Sequence, residues 1–92
     1  MYLHLGQDTV VRTDEVVGIF DLDTSTVSKR TREFLTKAEK AGRVVNVSME
    51  LPKSFVLCAK QGQKESHTLY ISQISSATLL KRTGFMEEIS LK

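Results

Sequence analysis

Cysteine is almost missing from this chain: Cys58 is the only one among 92 residues. That excludes an intrachain disulfide and any Cys-rich zinc site. Set within "SFVLCAK", Cys58 reads as a small buried hydrophobe. The two histidines, His4 and His67, have no His, Cys or carboxylate companions at metal-ligand spacing. His67 beside Glu65 reads as part of a polar hairpin, not as an acid-base pair. Asp21 and Asp23, two apart at a strand end, read as strand termination and helix capping before they read as a cation site. The five glycines are scattered, and "GQK" lacks the spacing of a phosphate-cradling loop. No Ser-His-Asp or Cys-His arrangement is present to activate a nucleophile. The sequence therefore points to a binding protein that is not an enzyme and uses no metal or other cofactor. Long apolar runs are missing too, none approaching the roughly 20 residues of a membrane span. The opening "MYLHLGQD" lacks the basic start, apolar core and cleavage site of a signal peptide. No membrane association is expected, and the cytoplasm is the compartment these absences suggest.

What is present suits one small domain. An apolar share of 40% and a charged share of 26% are ordinary for a folded globular chain. A core this small is often supplemented by self-association, so a homo-oligomer is expected. The formal net charge of +2 and a pI near 8.8 permit an acidic partner such as nucleic acid without requiring one.

Short β-like runs separated by turn signals fill most of the chain. "YLHL" (residues 2–5) and "TVVR" (9–12) flank a Gly-Gln-Asp turn, as in a hairpin. "VVGIFDL" (16–22) is β-branched and nearly continuous in apolar residues, which suits a central strand. "RVVNVSM" (43–49), "SFVLCAK" (54–60) and "TLYIS" (68–72) follow. In the first of these, alternation puts Val45, Val47 and Met49 on one face and Val44, Asn46 and Ser48 on the other. Leu51-Pro52 interrupts pairing, and "QGQKES" (61–66) reads as a polar hairpin loop. Ser75 or Ser76 caps a short last helix over 77–82, stopped by Gly84. The order β-β-β-α-β-β-β-α predicts an α+β fold: a small, mainly antiparallel sheet with one principal amphipathic helix packed on it and a short C-terminal helix. A single domain is expected over residues 1–84, with 85–92 as a C-terminal tail.

The principal helix is expected over residues 27–41. Asp23, Thr24 or Ser25 can cap it. Val27, Thr31, Phe34, Leu35, Ala38 and Ala41 form one stripe at helical spacing, and Gly42 ends it. The other faces carry Lys29, Arg30, Arg32, Lys37 and Lys40 against Glu33 and Glu39. Glu33 and Lys37 stand at ion-pair spacing. "GIFDLDTSTVSKRTREFL" also invites comparison with a helix-turn-helix, and the comparison fails. Val17 would fall where a small residue is needed, Asp21 at the turn glycine, and Arg30 at a buried apolar anchor. "VVGIF" is moreover a poor helix and a good strand. The basic helix face is either simply solvated or turned toward phosphate or another acidic surface.

"YLHLGQDTVVRTDEVVGIFDLD" followed by "FLTKAEKAGRVVNVSMELPKSFVL" resembles the extracellular matrix regulatory protein family of Firmicutes (Rem A and Rem B type). "LHLG", "VVGIFD" and "KAGRVV" carry most of the likeness, which spans roughly residues 2–82. The resemblance implies a protomer similar to the LytTR DNA-binding fold. It further implies assembly into rings and binding of DNA upstream of biofilm-matrix genes, as for Rem A members. Their basic Gly-Arg-Arg-type loop falls here at "MELPKS", which offers Lys53. Another basic position falls at Asp14-Glu15, with Arg12 close by.

Two functions follow as expectations. The first is a DNA-binding transcriptional regulator of extracellular matrix and biofilm genes. It would contact the phosphates of double-stranded DNA through Arg12, Lys29, Arg30, Arg32 and Lys53, with weak base reading. A homo-oligomer, such as a ring, would repeat the patch. The second is a protein-interaction or scaffold subunit of the same pathway that binds another regulatory protein and no DNA. Its sheet edge, or a strand such as "TLYIS", would pair with the partner chain.

Overall fold

The computed structural model describes residues 1–22, 29–60 and 67–83, and its elements follow the apolar runs of the sequence. β1 (Tyr2–Gly6) and β2 (Thr9–Arg12) form the expected antiparallel hairpin. Its turn is made possible by positive φ at Gly6 and Gln7. A single 3₁₀ turn (Thr13–Glu15) leads into β3 (Val16–Asp21). After α1 (Lys29–Lys40) come β4 (Val44–Asn46), β5 (Ser54–Ala59), β6 (His67–Ser72) and α2 (Ser76–Thr83). The last four strands to appear make one sheet in the order β3-β5-β6-β4, antiparallel except where β4 runs parallel to β6. The fold is thus the small, mostly antiparallel α+β arrangement that the sequence predicts, with two sheets in place of one.

The strand register sorts the side chains of the larger sheet into two faces. Val56 lies between Ile19 and Tyr70, and Cys58 between Val16 and Thr68. This face is covered by the β1–β2 hairpin and α2, giving one continuous cluster with Leu3, Leu5, Val11, Val47 and Leu79. On the opposite face Phe55 lies between Phe20 and Ile71, and Leu57 between Gly18 and Leu69. β5 is central and needs apolar residues on both sides, which explains why its sequence is a run and not an alternation. Cys58 is buried in this strand, where burial pushes its thiol up to about 11. It packs as a hydrophobe, as expected.

Two serines bind the layers together. Ser54 and Ser72 are cross-strand partners, each no more than 1% exposed. The Ser72 hydroxyl donates to the Leu5 carbonyl at 2.7 Å and accepts from the Ile74 N–H at 3.0 Å. The Ser54 hydroxyl donates to the Ile74 carbonyl at 2.7 Å. Leu5 sits at the irregularity between His4 and Gly6 where the hairpin ladder slips, so its carbonyl is served from outside the hairpin. Both backbone groups of Ile74 are held at the turn into α2. Ser75 then caps that helix, accepting from the Thr78 N–H.

Several expectations are corrected. β4 covers only three residues of the seven-residue run. Ser48 accepts from the Glu50 N–H at 3.1 Å, a side-chain turn that ends the ladder. The predicted alternation fails with it: Val47 is buried, whereas Met49 is fully exposed and Val45 is 40% exposed. β6, proposed as a strand for a partner to pair with, is interior, flanked by β5 and β4. The edges of the sheet are β3 and β4. The stripe of α1 faces the sheet with no residue of the helix buried. Glu33 and Lys37 do not form an ion pair; the one among the described residues joins Arg12 and Asp14. The proposed caps Asp23, Thr24 and Ser25, the first stripe residue Val27, the loop 61–66, Gly84 and the tail 85–92 lie outside the described residues.

The end of α1 is well defined. Gly42 has φ +72°, its N–H donates to the Glu39 carbonyl, and the Arg43 N–H donates to the Ala38 carbonyl. This is the Schellman arrangement, in which a left-handed glycine satisfies the last carbonyls of a helix.

Ser72→Ala leaves the Leu5 carbonyl and the Ile74 N–H without their partner, and is expected to cost about 1–3 kcal/mol in urea unfolding. Gly18 is held to glycine differently: a Cβ there would meet the Phe20 ring at 2.7 Å, and that ring is stacked on Phe55 with centroids 4.9 Å apart. Gly18→Ala should therefore cost about 1–3 kcal/mol. In a Phe20→Ala background most of that cost should vanish, a double-mutant cycle that isolates the ring contact.

Candidate nucleic-acid interface

α1 presents its charges because its sequence has nowhere else to put them. Successive residues advance by about 100° around a helix, so Thr31, Leu35 and Ala38 turn toward the sheet and Lys29, Glu33, Thr36 and Lys40 turn away. Lys29, Arg32, Lys37 and Lys40 line one shallow groove along the outer surface, together with Glu33 and Thr36. The Thr36 hydroxyl is turned back onto the Arg32 carbonyl at 2.9 Å, which leaves the groove to its cations. Four basic side chains against one carboxylate make this a positive strip about 16 Å long, at 1.5 Å rise per residue.

Of the residues singled out from sequence, Lys29 and Arg32 share this groove. Arg30 is exposed but does not line it. Lys53 is exposed just ahead of β5. Its backbone N–H donates to the Ser72 carbonyl and its carbonyl accepts from the Leu22 N–H. It too is absent from the groove. Lys37 and Lys40 belong there instead. They were part of the basic face in the sequence, and their helical spacing from Lys29 is the signal that brings them in.

Arg12 is exposed at the end of β2 but is already engaged. Its Nε and Nη2 donate to the two carboxylate oxygens of Asp14 at 3.1 and 2.8 Å, a forked pair on the surface. The hydrogen bond from Arg12 holds the Asp14 carboxylate below its ordinary range, and Asp14 in turn raises Arg12. The acidic position noted in the sequence is therefore the direct neutraliser of the nearest arginine. Near Lys53, the loop exposes apolar side chains: Met49 is fully exposed and Leu51 is 82% exposed.

Among the described residues, no group of three His, Cys, Asp or Glu side chains could hold a metal ion. No helix among them is long and apolar enough to cross a membrane.

The comparison with known families bears on this small α+β chain and its basic helix face. The model of the RemA-like family, described as extracellular matrix regulatory protein A-like, matches residues 2–83, and the chain belongs to that family of regulatory proteins. Among individual relatives, it is 42% identical over 89 residues to extracellular matrix regulatory protein B of Bacillus subtilis (strain 168), covering 97% of this chain and 98% of that one.

The Arg12–Asp14 fork is open to a direct check by NMR titration. Asp14 should titrate below an ordinary aspartate, and Arg12→Gln should move it back up. Since the folded-state value is depressed, whatever stability the pair contributes is present above the ordinary aspartate range and is lost as pH falls through the folded value. The variant should accordingly show a weaker loss of stability on acidification below about pH 4.

Proposed function

We propose that this protein is a DNA-binding transcriptional regulator of extracellular matrix and biofilm genes, acting in the cytoplasm as a homo-oligomer that repeats one basic surface. The observation that carries the reading is the strip of Lys29, Arg32, Lys37 and Lys40 along the outer face of α1, in a chain whose relative is named as a matrix regulator. Arg30 extends the strip around the helix, and Lys53 and Arg12 supply outlying charges. Lysine and arginine along such a groove favour backbone phosphates and carry little sequence information. One protomer spans only about three phosphates, a weak site by itself. Several protomers arranged on one duplex bind as a multivalent array. A single fold with residues 1–84 as its unit suits that role.

A second reading is favoured by one observation, the exposure of Met49 and Leu51 in the loop ahead of β5. Exposed apolar side chains there, beside the β4 sheet edge, fit contact with another regulatory protein. In that reading the protein is a scaffold subunit and α1 remains solvated.

Salt dependence separates the two. Binding of a promoter-length duplex should weaken with a log–log slope of about −2.7 if one protomer contributes three phosphate contacts, and about −5 if two act together. The steeper slope corresponds to about a thousandfold loss between 50 and 200 mM salt. Replacing Lys29, Arg32 and Lys40 with Ala should abolish most of the affinity while light scattering shows assembly unchanged. Asp14→Ala frees Arg12 and should raise affinity about threefold at low salt. A folded protein with no measurable affinity at 50 mM salt would instead favour the scaffold reading.

A further inference from the structure

The two faces of the four-stranded sheet are filled very differently. The face under the hairpin and α2 carries the main buried cluster, whereas no residue of α1 is buried. A pocket of about 310 Å³ opens between α1 and the sheet. Phe34 closes it from the helix side, and Leu57 and Leu69, cross-strand partners on β5 and β6, form its floor. Around this apolar interior stand Lys37, Arg43 and His67, and no acidic residue among the described ones lines it. None of these three side chains has a hydrogen bond or an ion pair with another described residue. Arg43 is fixed at its backbone by two bonds, its N–H to the Ala38 carbonyl and its carbonyl to the Leu69 N–H. Its backbone is thus anchored next to the pocket, and its guanidinium has no partner among the described residues.

We propose that this pocket binds a small amphipathic carboxylate. An apolar body of about one ring and a short chain would lie against Phe34, Leu57 and Leu69. The carboxylate would sit between Arg43, Lys37 and His67. The volume lies at the lower end of small-ligand pockets, which are mostly apolar with a few convergent polar groups. The planar fork of an arginine matches a carboxylate with two parallel hydrogen bonds. A ligand here would bury the half-exposed Phe34 and fill the space that leaves α1 without a buried residue. The site lies under α1 and shares Lys37 alone with the outer groove, so Arg43→Gln tests it apart from nucleic-acid binding.

The test is a methyl and amide NMR titration of the full chain with 4-phenylbutyrate, its alcohol analogue 4-phenylbutanol, and inorganic phosphate. Saturable shifts of Leu57, Leu69 and Phe34 with phenylbutyrate are expected, with a dissociation constant of about 0.1–1 mM. Arg43→Gln should weaken binding about fivefold, as for a partly exposed charge, with the rest of the spectrum unchanged. Ala41→Phe, at the exposed end of the helix and the mouth of the pocket, should block entry in a protein whose spectrum shows it folded. Equal affinity for the alcohol would overturn the role of the cations, and equal affinity for phosphate would overturn the role of the apolar interior. No saturation, or shifts that map elsewhere, would overturn the site altogether.

Discussion

Everything in this fold hangs on a pair of adjacent buried hydroxyls. Ser54 and Ser72 face each other across β5 and β6, and between them they hold both backbone groups of Ile74 and the carbonyl of Leu5. A buried backbone group without a partner costs more than a formed hydrogen bond contributes. The hairpin and α2 both present such groups to the sheet. The two serines satisfy them, and they do so at one point where three layers meet. Replacing either by an apolar residue of similar size would keep the volume and lose the junction.

From that junction the fold divides into a tight half and an open half. The tight half contains Leu5, Val56 and Leu79, all completely buried. The open half contains α1, whose apolar stripe rests over the sheet without sealing it. The difference follows from the residues available. Thr31, Ala38 and Ala41 are small, so the stripe of α1 is shallow wherever Phe34 and Leu35 do not fill it. The same shallowness leaves the helix's charged residues on a well-separated outer surface. The main buried cluster therefore lies on one side of the sheet and the positive helix face on the other.

Much of the architecture could be read from the sequence because it is written in short-range signals. Alternation in "YLHL", the Gly-Gln-Asp turn, the apolar run of "SFVLCAK" and Gly42 after a helical stripe each act over a few residues. Strand partners do not. That β6 is interior and β4 parallel to it depends on contacts across more than twenty residues, which periodicity does not encode. The end of β4 was hidden for another reason: the Ser48 side chain competes with the ladder, and a serine on a strand looks the same whether or not it does so. At the candidate interface, the basic helix was legible from spacing. Its division into a groove, with Lys37 and Lys40 in it and Arg30 out of it, was not: Arg30 and Lys37 stand seven residues apart, nearly in line along the helix, so spacing does not separate them. The fork between Arg12 and Asp14 was present in the sequence only as a neighbouring acid.

The position of β4 also constrains how the chain reaches this arrangement. β4 precedes β5 and β6 in sequence yet pairs only with the later of the two. The β1–β2 and β5–β6 hairpins join neighbouring segments and close small loops, which is entropically cheap. β4 has no surface to join until β6 is already in place on β5. It is therefore expected to add late, and because the Schellman turn couples it directly to α1, the helix is expected to dock late as well. Changes confined to β4 or to the underside of α1 should then act mainly on how fast the protein comes apart, and hardly at all on how fast it forms.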